Sequence, residues 1–318
     1  MLLMELIFLK LFDLHCDTLY RALEENGSII NNDYHLSVLR GNQYKSWAQC
    51  FAVWIPDECR KANAVALFKR AKKKFDEEIN RNSDMICQCK TADEIKNTTE
   101  KNKCAAILTV EGGAVLAGDL ANLDYLNECG VKMMTLTWND HCEVGGGSLA
   151  VEPNGLTEFG RNVVKRMTEL SIAIDISHAS DNLFFDVANA VTAPFVASHS
   201  NSRSVCQHRR NLTNEQFDII KSRGGLVGLN FARDFLKNDS SKASAYDIIK
   251  HADYFLSHGG EKAVCIGTDF DGTDMPDGIS GIESMESLYE LFLRHNYSEN
   301  LVEDIFFNNA FNFFEKLG

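Results

Sequence analysis

Proline is scarce in this 318-residue chain, with only 4, and no stretch is rich in serine and glycine or repetitive. Nothing therefore resembles an interdomain linker, and residues 1–318 are expected to form a single domain. No run of 18 or more apolar residues occurs, which excludes a spanning helix of ordinary length. Basic residues are in deficit, 32 against 45 acidic ones for a net charge of −13. That balance argues against nucleic acid or an anionic membrane surface as a partner. The one basic cluster, "KRAKKKF" from Lys69 to Phe75, has Ala and Phe interleaved and reads as a solvated helix face.

The start, "MLLMELIFLKLFDLHCD", is apolar but contains Glu5, has no basic leader and no small-residue cleavage site, and leads into candidate site residues. A signal peptide is not expected there. The end, "FFNNAFNFFEKLG", is aromatic but too short and interrupted for a lipid-anchor signal. A cytoplasmic protein is the expectation. Cysteine, by contrast, is plentiful at ten residues, several of them in apolar runs such as "AQCFAVWI" and "KCAAILTV", where a thiol behaves as a small buried hydrophobe. The CxC at Cys87 and Cys89 has no second pair at zinc-finger spacing, so reduced thiols are expected.

At 45% hydrophobic residues the chain can bury a large core. Eight β-rich runs recur along it: "LKLFDLH", "WAQCFAVWI", "CAAILTVEGG", "VKMMTLTW", "IAIDISH", "PFVASHS", "GLVGLNF" and "AVCIGTDF". Between them lie stretches with apolar residues three and four apart, several opened by Thr, Asp or Asn, which read as helices. Eight buried strands alternating with helices predict an α/β fold, a (β/α)8 TIM-type barrel, with its chemistry at the C-terminal strand ends.

Those ends carry ionisable groups. In "LKLFDLHCDTLY", Asp13, His15 and Asp17 occupy alternate positions, so they are expected to share a face. The third run ends in Glu111, the fifth in His178, the sixth in His199, and the eighth in Asp269 followed by Asp271. Imidazole and carboxylate without thiolate suit Zn²⁺ or a similar divalent ion, and the set exceeds the needs of one catalytic zinc. Two ions are expected, His15, Asp17 and Glu111 holding one and Glu111, His178 and His199 the other. Such a pair would activate a water and polarise a carbonyl. Asp269 is the candidate proton carrier between water and leaving amine, with Asp271 in a supporting place. The loop "SRSVCQHRRNLT" offers Arg203, His208, Arg209 and Arg210, any arginine of which could grip a carboxylate in bidentate fashion.

The motifs "DLHCDTL", "TVEGG", "GLTEFGRNVVKRMTELSIAIDISHAS", "ASHSNSRSVCQHRRNLT", "RGGLVGLNF" and "IGTDFDG" resemble, in order, those of the membrane (renal) dipeptidase family of zinc peptidases, a branch of the amidohydrolase superfamily. The resemblance covers essentially the whole chain. It implies a (β/α)8 barrel with two Zn²⁺ per chain that hydrolyses small dipeptides, in many relatives tolerating a D-residue at the C-terminal position. By it, His15 and Asp17 match the first-metal ligands, Glu111 the bridge, His178 and His199 the second-metal ligands, and Asp269 the acid beside the bridging water. Arg210, in "HRRN" where relatives commonly read "HPRN", matches the arginine that binds the substrate carboxylate.

One departure stands out. Many relatives read "LTHN" after the fourth strand, with a histidine on the substrate carbonyl; here "LTWNDHCEVGGGS" puts Trp138 there, with His141 three residues on as the candidate replacement. The alternative enzyme, another amidohydrolase acting on a non-peptide amide, usually opens with HxH and often uses a lysine ending the fourth strand, whereas Lys132 lies near the start of its strand. A catalytically weak relative would have lost ligands, and all five are present. The assembly is left open, with a homodimer as the option carried forward.

Overall fold

The computed structural model describes residues 9–317, so the expectation about the leader, residues 1–8, lies outside the described residues. Nine parallel strands form one sheet: β1 (Lys10–Cys16), β2 (Ser46–Trp54), β3 (Ile86–Gln88), β4 (Cys104–Glu111), β5 (Val131–Thr135), β6 (Ala173–Asp175), β7 (Val196–Ala197), β8 (Leu226–Leu229) and β9 (Val264–Ile266). Eight of them close a barrel in the order β1, β2, β4, β5, β6, β7, β8, β9 and back to β1. They are the eight runs read from the sequence. The short β3 sits outside this ring, pairing only with the first half of β4, whose second half pairs with β5.

Alternation along each strand sorts the apolar side chains into two layers. Phe12 and Leu14, Ala48 and Cys50, Ala105 and Ile107, Met133, Ala173, Val196, Leu226 and Cys265 form one cluster with members from every barrel strand. This is the packed lumen. Its floor is closed by Phe307, Ala310, Phe313 and Phe314, from a π turn (Asp304–Asn308) and the helix Asn309–Leu317; Phe12 stacks on Phe314 at 5.2 Å. The aromatic tail noted in the sequence is thus the barrel plug. Opposite-parity residues such as Leu11, Phe51, Leu108, Val110, Met134 and Val227 belong to a second cluster shared with the surrounding helices.

The helix Ala62–Arg81 carries "KRAKKKF" as expected, burying Phe68, Ala71 and Phe75 while Lys73 stays 79% exposed. Among the described residues no helix is long and apolar enough to cross a membrane. All ten cysteines are free thiols, with Cys87 exposed on β3 and Cys89 buried.

Two buried aspartates pin the strands beneath the upper rim. Asp13 accepts hydrogen bonds from Gln49 on β2, from the Thr268 amide and hydroxyl just after β9, and from the His15 amide. Asp175 accepts from the Thr135 hydroxyl, the Ser177 amide, and the Ser198 amide and hydroxyl. Burial pushes the Asp13 carboxyl above its ordinary pKa, and these donors oppose that push.

Truncating the plug tests its part in the core. Phe314→Ala should cost about 3–5 kcal/mol, read as a lower denaturant midpoint at unchanged m-value; a loss below about 1 kcal/mol would show that the terminal helix is not part of the barrel core.

Candidate metal centre

The sequence-predicted ligands come from four strand ends, His15 and Asp17 from β1, Glu111 from β4, His178 from β6 and His199 from β7, and converge at the C-terminal rim. His178 Nε2 lies 2.8 Å and His199 Nε2 3.4 Å from Glu111 Oε1, and the two imidazole nitrogens are 3.1 Å apart. His15 Nε2 is 3.7 Å from Glu111 Oε2, 3.4 Å from Asp17 Oδ2 and 3.9 Å from Asp269 Oδ1. Two groups emerge in which one ligand atom per residue lies within 4.8 Å of the others: His15, Glu111 and His199, and His15, Asp17 and Asp269. All six residues are buried.

Asp13 does not join them. The register between β1 and β2 shifts between Asp13 and Cys16, and this irregularity breaks the strict alternation that the sequence suggested, leaving Asp13 on Gln49 and Thr268 while His15 turns to the site. Beyond the strand, the amide of Asp17 donates to Phe270 O and that of Asp269 to His15 O, which laces the ends of β1 and β9 together and brings their carboxylates side by side. Gly272 completes this corner: a Cβ there would stand 2.1 Å from Asp17 Oδ2 and 2.6 Å from Asp269 Oδ1. Three non-glycine residues hold left-handed backbone here, His178 at φ +69°, Asp269 at +61° and Asp271 at +68°. Such conformations cost about 1–3 kcal/mol each and persist only where the surroundings enforce them.

Neighbours set the tautomers. Asn139 Oδ1 lies 2.9 Å from His178 Nδ1 and can only accept, so that nitrogen carries the proton. The Ser198 hydroxyl donates to Asp175 and so accepts from His199 Nδ1 at 2.7 Å. Both Nε2 lone pairs therefore point inward, toward each other and toward Glu111. Burial, with the positive charges of Arg210 and His15 added, holds both imidazoles well below their ordinary pKa and so neutral. Two lone pairs and a carboxylate oxygen in mutual contact require a cation between them, which is the donor arrangement of a metal site.

The carboxylates ask for the same thing. Burial, then repulsion from Asp17, drives the Glu111 carboxyl well above its ordinary pKa, and burial raises Asp269 too. For His15, burial opposes protonation, yet Glu111, Asp17 and Asp269 together outweigh it and push the imidazole up to about 10. A proton on His15 is then a stand-in for greater positive charge. Asp17 Oδ1 is buried without a hydrogen-bond partner, a free donor for an ion.

The remaining candidates are placed unequally. Asp269 accepts at Oδ2 from Asn230 at 3.0 Å, leaving Oδ1 toward the cluster. Asp271 accepts from the Thr18 hydroxyl, from Arg21 and from the His35 and Leu36 amides, and so ties loops together. Arg210 is buried, 4% exposed, with Nε and Nη2 unpartnered and its guanidinium 5.3 Å from the Phe235 ring. Burial lowers its pKa to about 10 while Asp269 and Glu111 oppose that fall. A cavity of about 630 Å³ opens over the cluster, lined among others by Asp17, Glu111, His178, Asp269, Trp138 and His208. Arg210 stands behind this lining, against Phe235, which belongs to it. His141 does not reach the cavity. It is exposed, with Nδ1 2.7 Å from Asn154 Oδ1 and its carbonyl accepting from Arg60, because the turn after Asn139 leads the chain outward. Sequence reading missed Asn139, Ser198 and Asn230 as partners of the ligands, although each lies in or beside a quoted run.

Comparison with known proteins bears on this geometry. Residues 5–317 match the model of the family described as membrane dipeptidase, peptidase family M19. A metallo peptidase from Rhodobacter sphaeroides, liganded with a phosphinate mimic of the dipeptide L-Ala-D-Ala, superposes with a TM-score of 0.91 at 25% identity, covering 98% of this chain and 100% of that one. The dipeptidase AC, a metallo peptidase of family M19, gives a TM-score of 0.90 at 27% identity over 97% and 98% of the two chains. Dipeptidase 3 of Rattus norvegicus is 30% identical over 228 residues, 70% of this chain; the match spans about half, 46%, of that protein's length.

Removing the Ser198 hydroxyl isolates the Asp175–Ser198–His199 chain. Ser198→Ala should lower zinc affinity about 10- to 100-fold in competition with a chromogenic chelator; unchanged affinity would show that this chain does not orient His199.

Proposed function

The chain belongs to the membrane dipeptidase family, peptidase family M19, and from that premise we propose that it is a zinc-dependent dipeptidase whose one barrel domain holds two Zn²⁺ at the rim. Membership makes it a dipeptidase enzyme of the metal-dependent kind. The observation that carries the finer reading is the contact of the His178 and His199 Nε2 atoms with Glu111 Oε1, beside a second group of His15, Asp17 and Asp269. Glu111 reaches His178 and His199 with Oε1 and His15 with Oε2, so it is the side chain suited to bridge. His15, Asp17 and Glu111 are assigned to one ion, and Glu111, His178 and His199 to the other.

Zinc bound there supplies Lewis acidity, which brings a water within reach of deprotonation near neutral pH and polarises a substrate carbonyl. The protein's own groups do the rest. Asp269, fixed at Oδ2 by Asn230, keeps Oδ1 free to take the proton from the attacking water and hand it to the leaving amine. Arg210, a buried guanidinium with two unpartnered nitrogens, is assigned to the C-terminal carboxylate of the substrate, which would satisfy both. No histidine of the loop after β5 lines the cavity; Trp138 and Asn139 form that wall, which offers the substrate carbonyl no imidazole. A free dipeptide fits the cavity, and the mimic bound to the Rhodobacter sphaeroides relative supports including a C-terminal D-residue.

The test is hydrolysis of a panel of L,L and L,D dipeptides by zinc-loaded protein. Turnover should vanish with a chelator and return with zinc; a zinc-loaded protein that cleaves none of the panel would sink the dipeptidase reading. Glu111→Gln should lose bound metal as well as turnover, and full occupancy in that variant would remove Glu111 as the bridge. Arg210→Ala should raise KM for free dipeptides about 10- to 100-fold, the worth of a charge-assisted pair, and an unchanged KM would move the carboxylate grip elsewhere.

A further inference from the structure

The cavity wall divides by barrel order into a half with one phenyl ring and a half with three packed aromatic rings. Loops after β7 and β8 contribute His208, Asp234 and Phe235 to the lining, with Arg210 behind them; there the Phe235 ring lies tilted against His208 at 4.6 Å and under Arg210 at 5.3 Å. The other half comes from the ends of β1, β2 and β5. Tyr20, in the helix Thr18–Glu24, packs edge-on against Trp54, the last residue of β2, at 4.8 Å, and Trp54 packs edge-on against Trp138 at 4.8 Å. All three rings line the cavity, and Trp138 continues to His178 at 6.1 Å. They form an unbroken aromatic wall running from the rim to the cluster. Glu24, on the same helix as Tyr20, also lines the cavity above it.

Resting on the dipeptidase reading, we propose that Tyr20, Trp54 and Trp138 receive the side chain of the substrate's N-terminal residue and select a large apolar or aromatic one. The orientation follows from the assignment of Arg210 to the substrate carboxylate. A substrate held by its carboxylate at Arg210, with its peptide bond over the cluster, must extend its N-terminal residue toward β1, β2 and β5. The carboxylates there, Asp17, Glu24 and Glu25, outnumber the one cation, Arg21, and complement its ammonium group, and the rings complement an apolar side chain. Edge-to-face rings present broad apolar surface that is already in place, so burying a phenyl group against them gains transfer free energy with little ordering cost. Trp138 makes the wall continuous; a histidine at this position would interrupt it with a hydrated polar ring.

The experiment compares kcat/KM for Phe-Ala, Leu-Ala, Ala-Ala and Asp-Ala in the zinc-loaded protein and in Trp54→Ala and Trp138→His. The ratio of Phe-Ala to Ala-Ala should be about tenfold or more, and both variants should bring it toward one. Tryptophan fluorescence, to which Trp54 and Trp138 give two of three emitters, reads binding directly: a phosphinate mimic of Phe-Ala should bind about tenfold more tightly than that of Ala-Ala. A wild-type ratio within about threefold of one, or a ratio unmoved by Trp54→Ala, overturns the wall as a selector. Failure to cleave any dipeptide would instead overturn the dipeptidase reading, and the phosphinate pair would still decide the wall, equal affinity for both mimics contradicting it.

Discussion

The structure turns on an arrangement that is unfavourable by itself: two imidazole lone pairs and a carboxylate oxygen held within 3.4 Å of one another in a buried pocket. With both rings neutral, their lone pairs repel each other and the carboxylate oxygen, and excluding water leaves that repulsion unscreened. Everything around the contact enforces it. Asn139 and the Asp175–Ser198 pair take the outer nitrogens of the two rings, so rotation of either ring would break a buried hydrogen bond. Left-handed backbone at His178 and Asp269 adds strain of about 1–3 kcal/mol at each. A fold that spends stability in this way at one place keeps a cation site ready, and binding the cation returns what the apo protein lacks.

The barrel makes such enforcement affordable by separating its tasks along one axis. At the bottom, Phe307, Phe313 and Phe314 seal a lumen of small and medium apolar side chains from all eight strands. Higher up, Asp13 and Asp175 replace that apolar packing with dense polar ties between neighbouring strands. Only at the rim do the candidate ligands appear, drawn from the ends of β1, β4, β6 and β7, so their spacing is governed chiefly by barrel geometry.

Much of this is legible in the residues themselves. The eight barrel strands are long or strongly apolar enough to read directly, and four of them run into the candidate ligands. What escapes reading does so for definite reasons. Strand β3 has three residues, of which only Ile86 is buried, so it carries no pattern. Alternation predicts that Asp13, His15 and Asp17 share a face, but a register shift intervenes, and such irregularities have no local signature in "FDLHCD". The supporting hydrogen bonds to His178, His199 and Asp269 come from polar residues whose type suits a hundred other surface positions; their partners lie 39 residues away in two cases. His141 fails as a cavity residue because sequence proximity to Trp138 says nothing of which way a turn leads.

The most direct test of the account is the metal content of the protein itself. Stripped with a chelator, dialysed against zinc and measured by elemental analysis, the protein should hold two zinc ions per chain, and a variant with both His178→Asn and His199→Asn should hold fewer than two. One ion or none in the unaltered chain, or two in the double variant, would contradict the claim that these side chains cage a pair of cations.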